Sequence, residues 1–166
     1  MEAVDGPPDS DLRDLLQRGF RYAFALSHSR PRAEDLVQDA VLAILRRGGP
    51  WNPGYLMRAI RTRFIDLYRR ERLVVMHALD DVPEPVAYAA FDEPAGNVDP
   101  ERLERALAAL RPAEREAIYL HCVEGYTAKE IAELTGQPRN TVLSLLHRGR
   151  IRAQAYYAPP QEGARG

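Results

Sequence analysis

Residues 124–148 read EGYTAKEIAELTGQPRNTVLSLLHR, and this stretch decides the fold class. Thr127 followed three residues later by Glu130 is a capping box, in which a hydroxyl and a carboxylate satisfy amides left free at a helix start. Ile131, Ala132 and Leu134 supply the inner face of a short helix. Gly136 provides the left-handed conformation that ends it. A longer helix is expected from about Arg139 through Tyr156, with Val142, Leu146 and Ile151 on one side. Short helix, glycine turn, longer helix is the helix-turn-helix pattern, which reads DNA in some proteins and serves as plain structure in others.

Outward from this unit the helical period continues, without a strand pattern or an internal repeat. Pro112 opens a helix with Ala117, Ile118, Leu120 and Cys122 or Val123 available to a core, and Gly125 closes it. Asp99-Pro100 is a cap-plus-proline start for a further helix with Leu103, Ala106, Leu107 and Leu110 inward. Before it, Pro83, Pro85 and Pro94 and a lack of periodicity mark an extended linker. Upstream of the linker, Asn52-Pro53 starts a helix with the stripe Leu56, Ala59, Ile60, Phe64, Leu67. Pro31 begins another, in which Leu36, Val37, Ala40, Val41, Ile44 and Leu45 form the buried face and Gly48-Gly49-Pro50 is the stop. Ser10 is expected to cap a first helix carrying Leu12, Leu15, Leu16, Phe20, Ala23 and Phe24. The expected fold is all-α: a three-helix domain over 10–78, an acidic linker over 79–99 and a four-helix domain over 100–157.

The formal net charge of −1 conceals a segregation. Between Arg46 and Arg72 stand eight arginines against Asp66 and Glu71, a net of +6. Between Asp80 and Asp99 stand six acids and no base. Arg139, Arg148, Arg150 and Arg152 make a second basic stretch, so charge pattern rather than net charge is the informative quantity. The single cysteine excludes an intramolecular disulfide. No apolar run approaches a membrane span, so a soluble cytoplasmic protein without membrane insertion is expected. His28, His77, His121, His147 and Cys122 show no metal-ligand spacing, and no metal or organic cofactor is expected. Cys122 reads as a small packed residue. Glu34, Asp35 and Asp39 offer carboxylates without a nucleophile or a phosphate loop, so they read as solvated helix acids and no enzyme is expected.

Residues 32–40 (RAEDLVQDA) closely resemble the AEDLVQE signature of sigma domain two, and residues 60–70 (IRTRFIDLYRR) resemble its adjoining DNA-facing helix. Residues 103–152 resemble sigma domain four, above all in LAALRP at 107–112, EGYT at 124–127, EIAE at 130–133 and NTVLSLLHR at 140–148. Both domains stand in family order with no intervening domain three, an arrangement similar to the extracytoplasmic-function (ECF) group of RNA polymerase sigma factors.

The resemblance implies a chain that binds core RNA polymerase and directs initiation at promoters with minus-ten and minus-thirty-five elements. Asp35, Leu36, Gln38 and Asp39 would meet the clamp coiled coil of the largest subunit, with contacts to the flap elsewhere. Carboxylates and an amide pair with basic groups on such a partner while Leu36 adds apolar contact; taken alone, the same residues are a solvated helix face. At the minus-ten element, Arg58, Arg61, Arg69 and Arg70 would neutralise phosphates, Trp51 and Tyr55 would stack on unpaired bases, and Thr62 stands where the family usually carries Asn. The loop over residues 47–54 is shortened. At the minus-thirty-five element, Arg139, Asn140, Ser144, His147 and Arg148 form the reading set. Leu143 and Leu145 occupy positions that are usually basic, and are expected either to touch a thymine methyl or to pack against a partner. The resemblance also implies an anti-sigma factor that holds the chain inactive.

Two other classes fit parts of the pattern. A sigma-like mimic that sequesters an anti-sigma factor would fail in polymerase-dependent run-off transcription. A helix-turn-helix regulator with an unrelated first domain would not need core polymerase at all.

Overall fold

The computed structural model describes residues 9–71 and 105–157. The chain divides into two compact units, Met1–His77 and Ala78–Gly166. Among the described residues all regular structure is helical. The expected linker over 79–99 and the helix start at Asp99-Pro100 lie outside the described residues, as does Leu103.

The first unit is built from α1 (Asp9–Ser27), α2 (Arg30–Arg47) and α3 (Pro53–Arg70), each packed on the other two. Proline stands in the first turn of α2 and of α3, where its missing N–H removes nothing the helix would use. Asn52 caps α3, its side-chain oxygen accepting from the Tyr55 amide at 2.9 Å. Gly48, at φ 67, closes α2 in the left-handed region, and its amide returns to the Ile44 carbonyl. The core is Leu15, Tyr22, Ala23 and Leu26 from α1, Leu36, Ala40 and Ile44 from α2, and Leu56, Met57, Ile60 and Phe64 from α3. Burying each of the large apolar side chains contributes about 1.5–3 kcal/mol.

In the second unit a helical turn over residues 105–108 precedes α4 (Pro112–Cys122), α5 (Ala128–Thr135) and α6 (Arg139–Tyr157). Ala106, Leu107 and Leu110 are buried as expected. The capping box of α5 forms with both halves present: the Glu130 carboxylate accepts from the Thr127 amide at 2.8 Å, and the Thr127 hydroxyl oxygen accepts from the Glu130 amide at 3.3 Å. Gly136 then turns the chain at φ 70. α6 lies against α4 at Gly149, where a Cβ would come within 2.7 Å of Ile118 Cγ1. That close approach lets Arg152 reach the buried Glu114 carboxylate at 2.8 Å.

Four expectations are corrected. Ser10 is inside α1, which begins at Asp9, and so does not cap it. Leu45 and Ile151 are more than half exposed. Each stands nine residues from a buried partner, Leu36 and Val142, and nine residues at 3.6 per turn is about two and a half turns, which lands on the opposite face. Val123 is also exposed, because α4 ends at Cys122 and Val123 falls in the turn that follows.

Candidate nucleic-acid interface

Helices α2 and α3 converge on a cleft of about 270 Å³ in the first unit. Its floor is Ala43, Ile44 and Ala59, and its rim is Arg47, Tyr55, Arg58, Thr62, Arg63 and Asp66. The α3 members recur at three- and four-residue steps, so one face of that helix supplies most of the rim. Of the residues expected at the minus-ten element, the cleft gathers Tyr55, Arg58 and Thr62. Trp51, Arg61, Arg69 and Arg70 do not line it. Trp51 is half-buried just before α3, and Arg69 and Arg70 are exposed in its last turn, where cations suit the negative end of the helix. Arg47, Arg63 and Asp66 are cleft residues that the sequence reading did not select. The signal for the latter two was available in their spacing from Tyr55 and Thr62.

Tyr55 is held against the short turn between α2 and α3. A Cβ on Gly49 would stand 2.4 Å from its Cε1 and 2.7 Å from its hydroxyl oxygen, so the ring position depends on glycine there. The exposed Thr62 donates its hydroxyl proton to the Arg58 carbonyl at 2.9 Å, which leaves the oxygen only acceptor capacity.

On the other side of α2, Asp35, Gln38 and Asp39 are exposed. Leu36 is not: it is 3 % exposed, within the three-helix core, and the expectation that it touches a partner is corrected. The apolar groups beside the acids are Leu42 and Leu45, 47 % and 53 % exposed. Asp35, Gln38, Leu42 and Leu45 advance by three, four and three residues and therefore form one outward stripe.

In the second unit, Arg139 and Asn140 are exposed at the start of α6, and His147 and Arg148 are half-exposed two turns later. Between them Val142, Leu143, Ser144, Leu145 and Leu146 are all buried, a run long enough to go round every face of the helix. Ser144 is thereby corrected as a base-reading residue in this structure: its hydroxyl donates to the Asn140 carbonyl at 2.9 Å. Leu143 and Leu145 are buried in the chain itself, at 2 % and 5 % exposure, and present no surface for a thymine methyl or a separate partner. Arg150, part of the basic stretch but outside the expected reading set, is exposed and lies three turns beyond Arg139 on the same side. Arg152 is engaged with Glu114.

His121 is buried with Nδ1 2.8 Å from the Tyr126 carbonyl oxygen, so that nitrogen carries the proton and donates. Burial pushes the Cys122 thiol above its ordinary pKa, offset in part by Arg150, which keeps it an inert packed group. Among the described residues no group of three or more His, Cys, Asp or Glu side chains is placed to hold a metal ion.

Residues 11–74 match the family model for sigma-70 region 2, and residues 101–152 match that for sigma-70 region 4. The chain is 31% identical over 164 residues to the ECF RNA polymerase sigma factor SigE of Mycolicibacterium smegmatis, a match covering 90% of this chain and 61% of that one. It is 33% identical over 122 residues to the RNA polymerase sigma factor CarQ of Myxococcus xanthus, covering 70% of each. It thus spans about three fifths of the length of SigE and over two thirds of that of CarQ. In fold it is similar to the sigma factor RpoE of Bartonella quintana, whose structure was solved in complex with the anti-sigma factor NepR. The TM-score is 0.64 at 24% identity, over 89% of this chain and 94% of that one.

Proposed function

The chain belongs to the sigma-70 family of RNA polymerase sigma factors, in its ECF group, and from that premise we propose how its two units divide the work of promoter-specific initiation. The first unit docks on core polymerase through the exposed stripe of α2 and takes up the minus-ten element at the cleft between α2 and α3. The second reads the minus-thirty-five element with α6. Domain limits of 10–78 and 100–157, joined by the acidic segment 79–99, suit this division, and the chain acts in the cytoplasm, where its polymerase is. No described helix is long and apolar enough to cross a membrane.

The observation that carries the reading is the cleft, which sets three arginines and a tyrosine around an apolar floor. Guanidinium groups neutralise phosphates and make binding fall steeply with salt. Aromatic rings hold unpaired bases at about 1–3 kcal/mol per base, which lets binding energy favour locally melted DNA without fuel. On α2, Asp35, Gln38 and Asp39 complement basic groups of the largest-subunit clamp coiled coil, and Leu42 and Leu45 supply the apolar contact. Contact with the polymerase flap falls to the second unit. On α6, Arg139 and Asn140 are exposed at the helix start and enter the major groove, where Arg suits guanine and Asn suits adenine. His147, Arg148 and Arg150 extend that surface toward the phosphates.

An anti-sigma factor is the natural negative partner, supported by the complex in which the similar fold from Bartonella quintana was solved. Reconstituted transcription with core polymerase on a genomic promoter library tests the reading. We expect a set of start sites that share two spaced elements and require this chain. Failure to associate with core polymerase, or initiation that is indifferent to the chain, rules it out.

A further inference from the structure

We infer that the groove between α1 and α2 is a self-association surface: two copies of the chain pair across it, and the pair covers the exposed stripe of α2. The pairing stands on the groove itself, and only its consequence for polymerase rests on the proposed function.

The groove has a volume of about 700 Å³ and lies within the first unit. Leu12, Leu16 and Phe20 of α1, at four-residue steps, and Val37 of α2 form its floor, and all four are half-buried. Arg21 stands on the α1 rim and Glu34 on the α2 rim, both exposed. No hydrogen bond or ion pair among the described residues engages Arg21. Glu34 holds Arg30 at 3.0 Å in an exposed pair on its own helix, which is worth little and is readily exchanged. Beyond Gln38, the same side of α2 carries Leu42 and Leu45, both exposed.

The occupant is identified by register. α1 and α2 are joined by a short turn and pack as an antiparallel pair, so position along either is counted from that turn at about 1.5 Å per residue. Arg21 and Glu34 stand about 9 Å and about 6 Å from the turn, and Phe20 and Val37 about 10.5 Å each. Leu16 and Leu42 stand at about 16.5 Å and about 18 Å, and Leu12 and Leu45 at about 22.5 Å each. A two-fold axis along the groove keeps these levels and lays α1 of each copy on α2 of the other. Every contact then occurs twice: Phe20 on Val37, Leu16 on Leu42, Leu12 on Leu45, and Arg21 against Glu34 with the exposed Asp35 beside it. Arg13, at the far end, finds no acid level with it, so the attraction is concentrated near the turn. An axis across the groove would instead set α1 on α1 and bring Arg13 against Arg21, like on like. The chain thus carries, on α2, the complement of the surface it presents on α1.

Gln38, Leu42 and Leu45 belong to the stripe proposed to meet the clamp coiled coil, so a copy that is paired is not free to dock. A contact this small is weak. Surplus chain is held in pairs and released by mass action as core polymerase takes up single copies.

Sedimentation equilibrium of the full chain across the micromolar range tests the pairing. The mass is expected to rise from the 18.7 kDa of one chain toward twice that. Arg21→Glu and Glu34→Arg each set like charges together at both symmetry-related contacts, and each is expected to weaken association at least about tenfold without moving the unfolding midpoint. Mixed in equal amounts, the two variants are expected to associate again, because the mixed pair has one original and one reversed contact, both complementary. A chain that stays monomeric to the limit of its solubility, or a dimer indifferent to both substitutions, overturns the inference and leaves the proposed function standing. Core polymerase is expected to convert pairs into one-to-one complexes, and a pair that binds core intact overturns the exclusion. A chain that pairs as described yet never associates with core polymerase upholds the pairing and removes the proposed function.

Discussion

Glu114 and Arg152, thirty-eight residues apart in sequence, meet at 2.8 Å and join the first turn of α4 to the last turns of α6. The carboxylate is 2 % exposed and the guanidinium 38 %. The two ends of the pair are therefore unequal: Arg152 can turn to water if released, whereas Glu114 cannot. Removing the arginine strands a buried charge, which costs more than the bond itself is worth. Arg152→Ala is expected to destabilise the second unit by about 2–4 kcal/mol, and Glu114→Gln by less, because an amide still accepts from the arginine. Thermal unfolding of the two variants checks the order. A smaller loss for Arg152→Ala than for Glu114→Gln would show that the pair does not anchor α6.

The contact of Gly49 with Tyr55 separates function from stability. An added methyl at residue 49 meets the outer end of the tyrosine ring, at 2.4–2.7 Å, rather than backbone. The ring can swing aside at little cost in folding, but it then leaves the cleft. Gly49→Ala is expected to keep the thermal midpoint within a few degrees and to weaken binding of fork-junction DNA by about as much as Tyr55→Ala. One base stack is worth about 1–3 kcal/mol, or about fivefold to 150-fold. Full DNA binding by Gly49→Ala would place the ring outside the working cleft.

The capping box of α5 gives a pH prediction. The Thr127 backbone amide, and secondarily its hydroxyl, hold the Glu130 carboxyl below the usual glutamate pKa. A carboxyl lowered in the folded state contributes stability that is present above its unfolded pKa and is lost as pH falls through the folded one. Thr127→Ala is expected to move Glu130 only part of the way back, because the larger backbone contribution survives. It also removes an N-cap, at about 1 kcal/mol. A carboxyl-carbon NMR titration of Glu130 in both proteins checks this; identical titrations would remove the hydroxyl from the account.

Much of this architecture is legible in the sequence because its signals are local. Asn52-Pro53, the box from Thr127 to Glu130, and Gly136 each act within one turn, and each does in the structure what its chemistry dictates. The misplaced residues share a different cause. Leu45 and Ile151 were assigned to a face by hydrophobicity at a nine-residue step, which is half a turn out of phase. Burial of Leu143, Ser144 and Leu145 depends on what covers them, and no local pattern records that. The cleft is intermediate: Tyr55, Arg58 and Thr62 were chosen from the family pattern, while Arg47 comes from another helix and joins them only through packing.

The exchange of Leu36 for Leu42 and Leu45 as the apolar part of the docking stripe is itself testable, because the two locations make opposite demands. Leu36 is 3 % exposed among the core residues of all three helices, so Leu36→Ala is expected to cost about 2–5 kcal/mol of stability. Any loss of polymerase binding by that variant should follow its loss of folded protein. Leu42 and Leu45 bury little within the chain, and replacing both by Ala should leave stability within about 0.5 kcal/mol per site. If they seat against the clamp coiled coil beside Asp35, Gln38 and Asp39, removing both costs about 1–2 kcal/mol of binding, a fivefold to thirtyfold weaker complex with core polymerase. Titration of core polymerase with the double variant, read together with its unfolding curve, distinguishes the cases. Unchanged affinity with unchanged stability would take the stripe out of the interface, and would leave the acids of α2 as ordinary solvated groups.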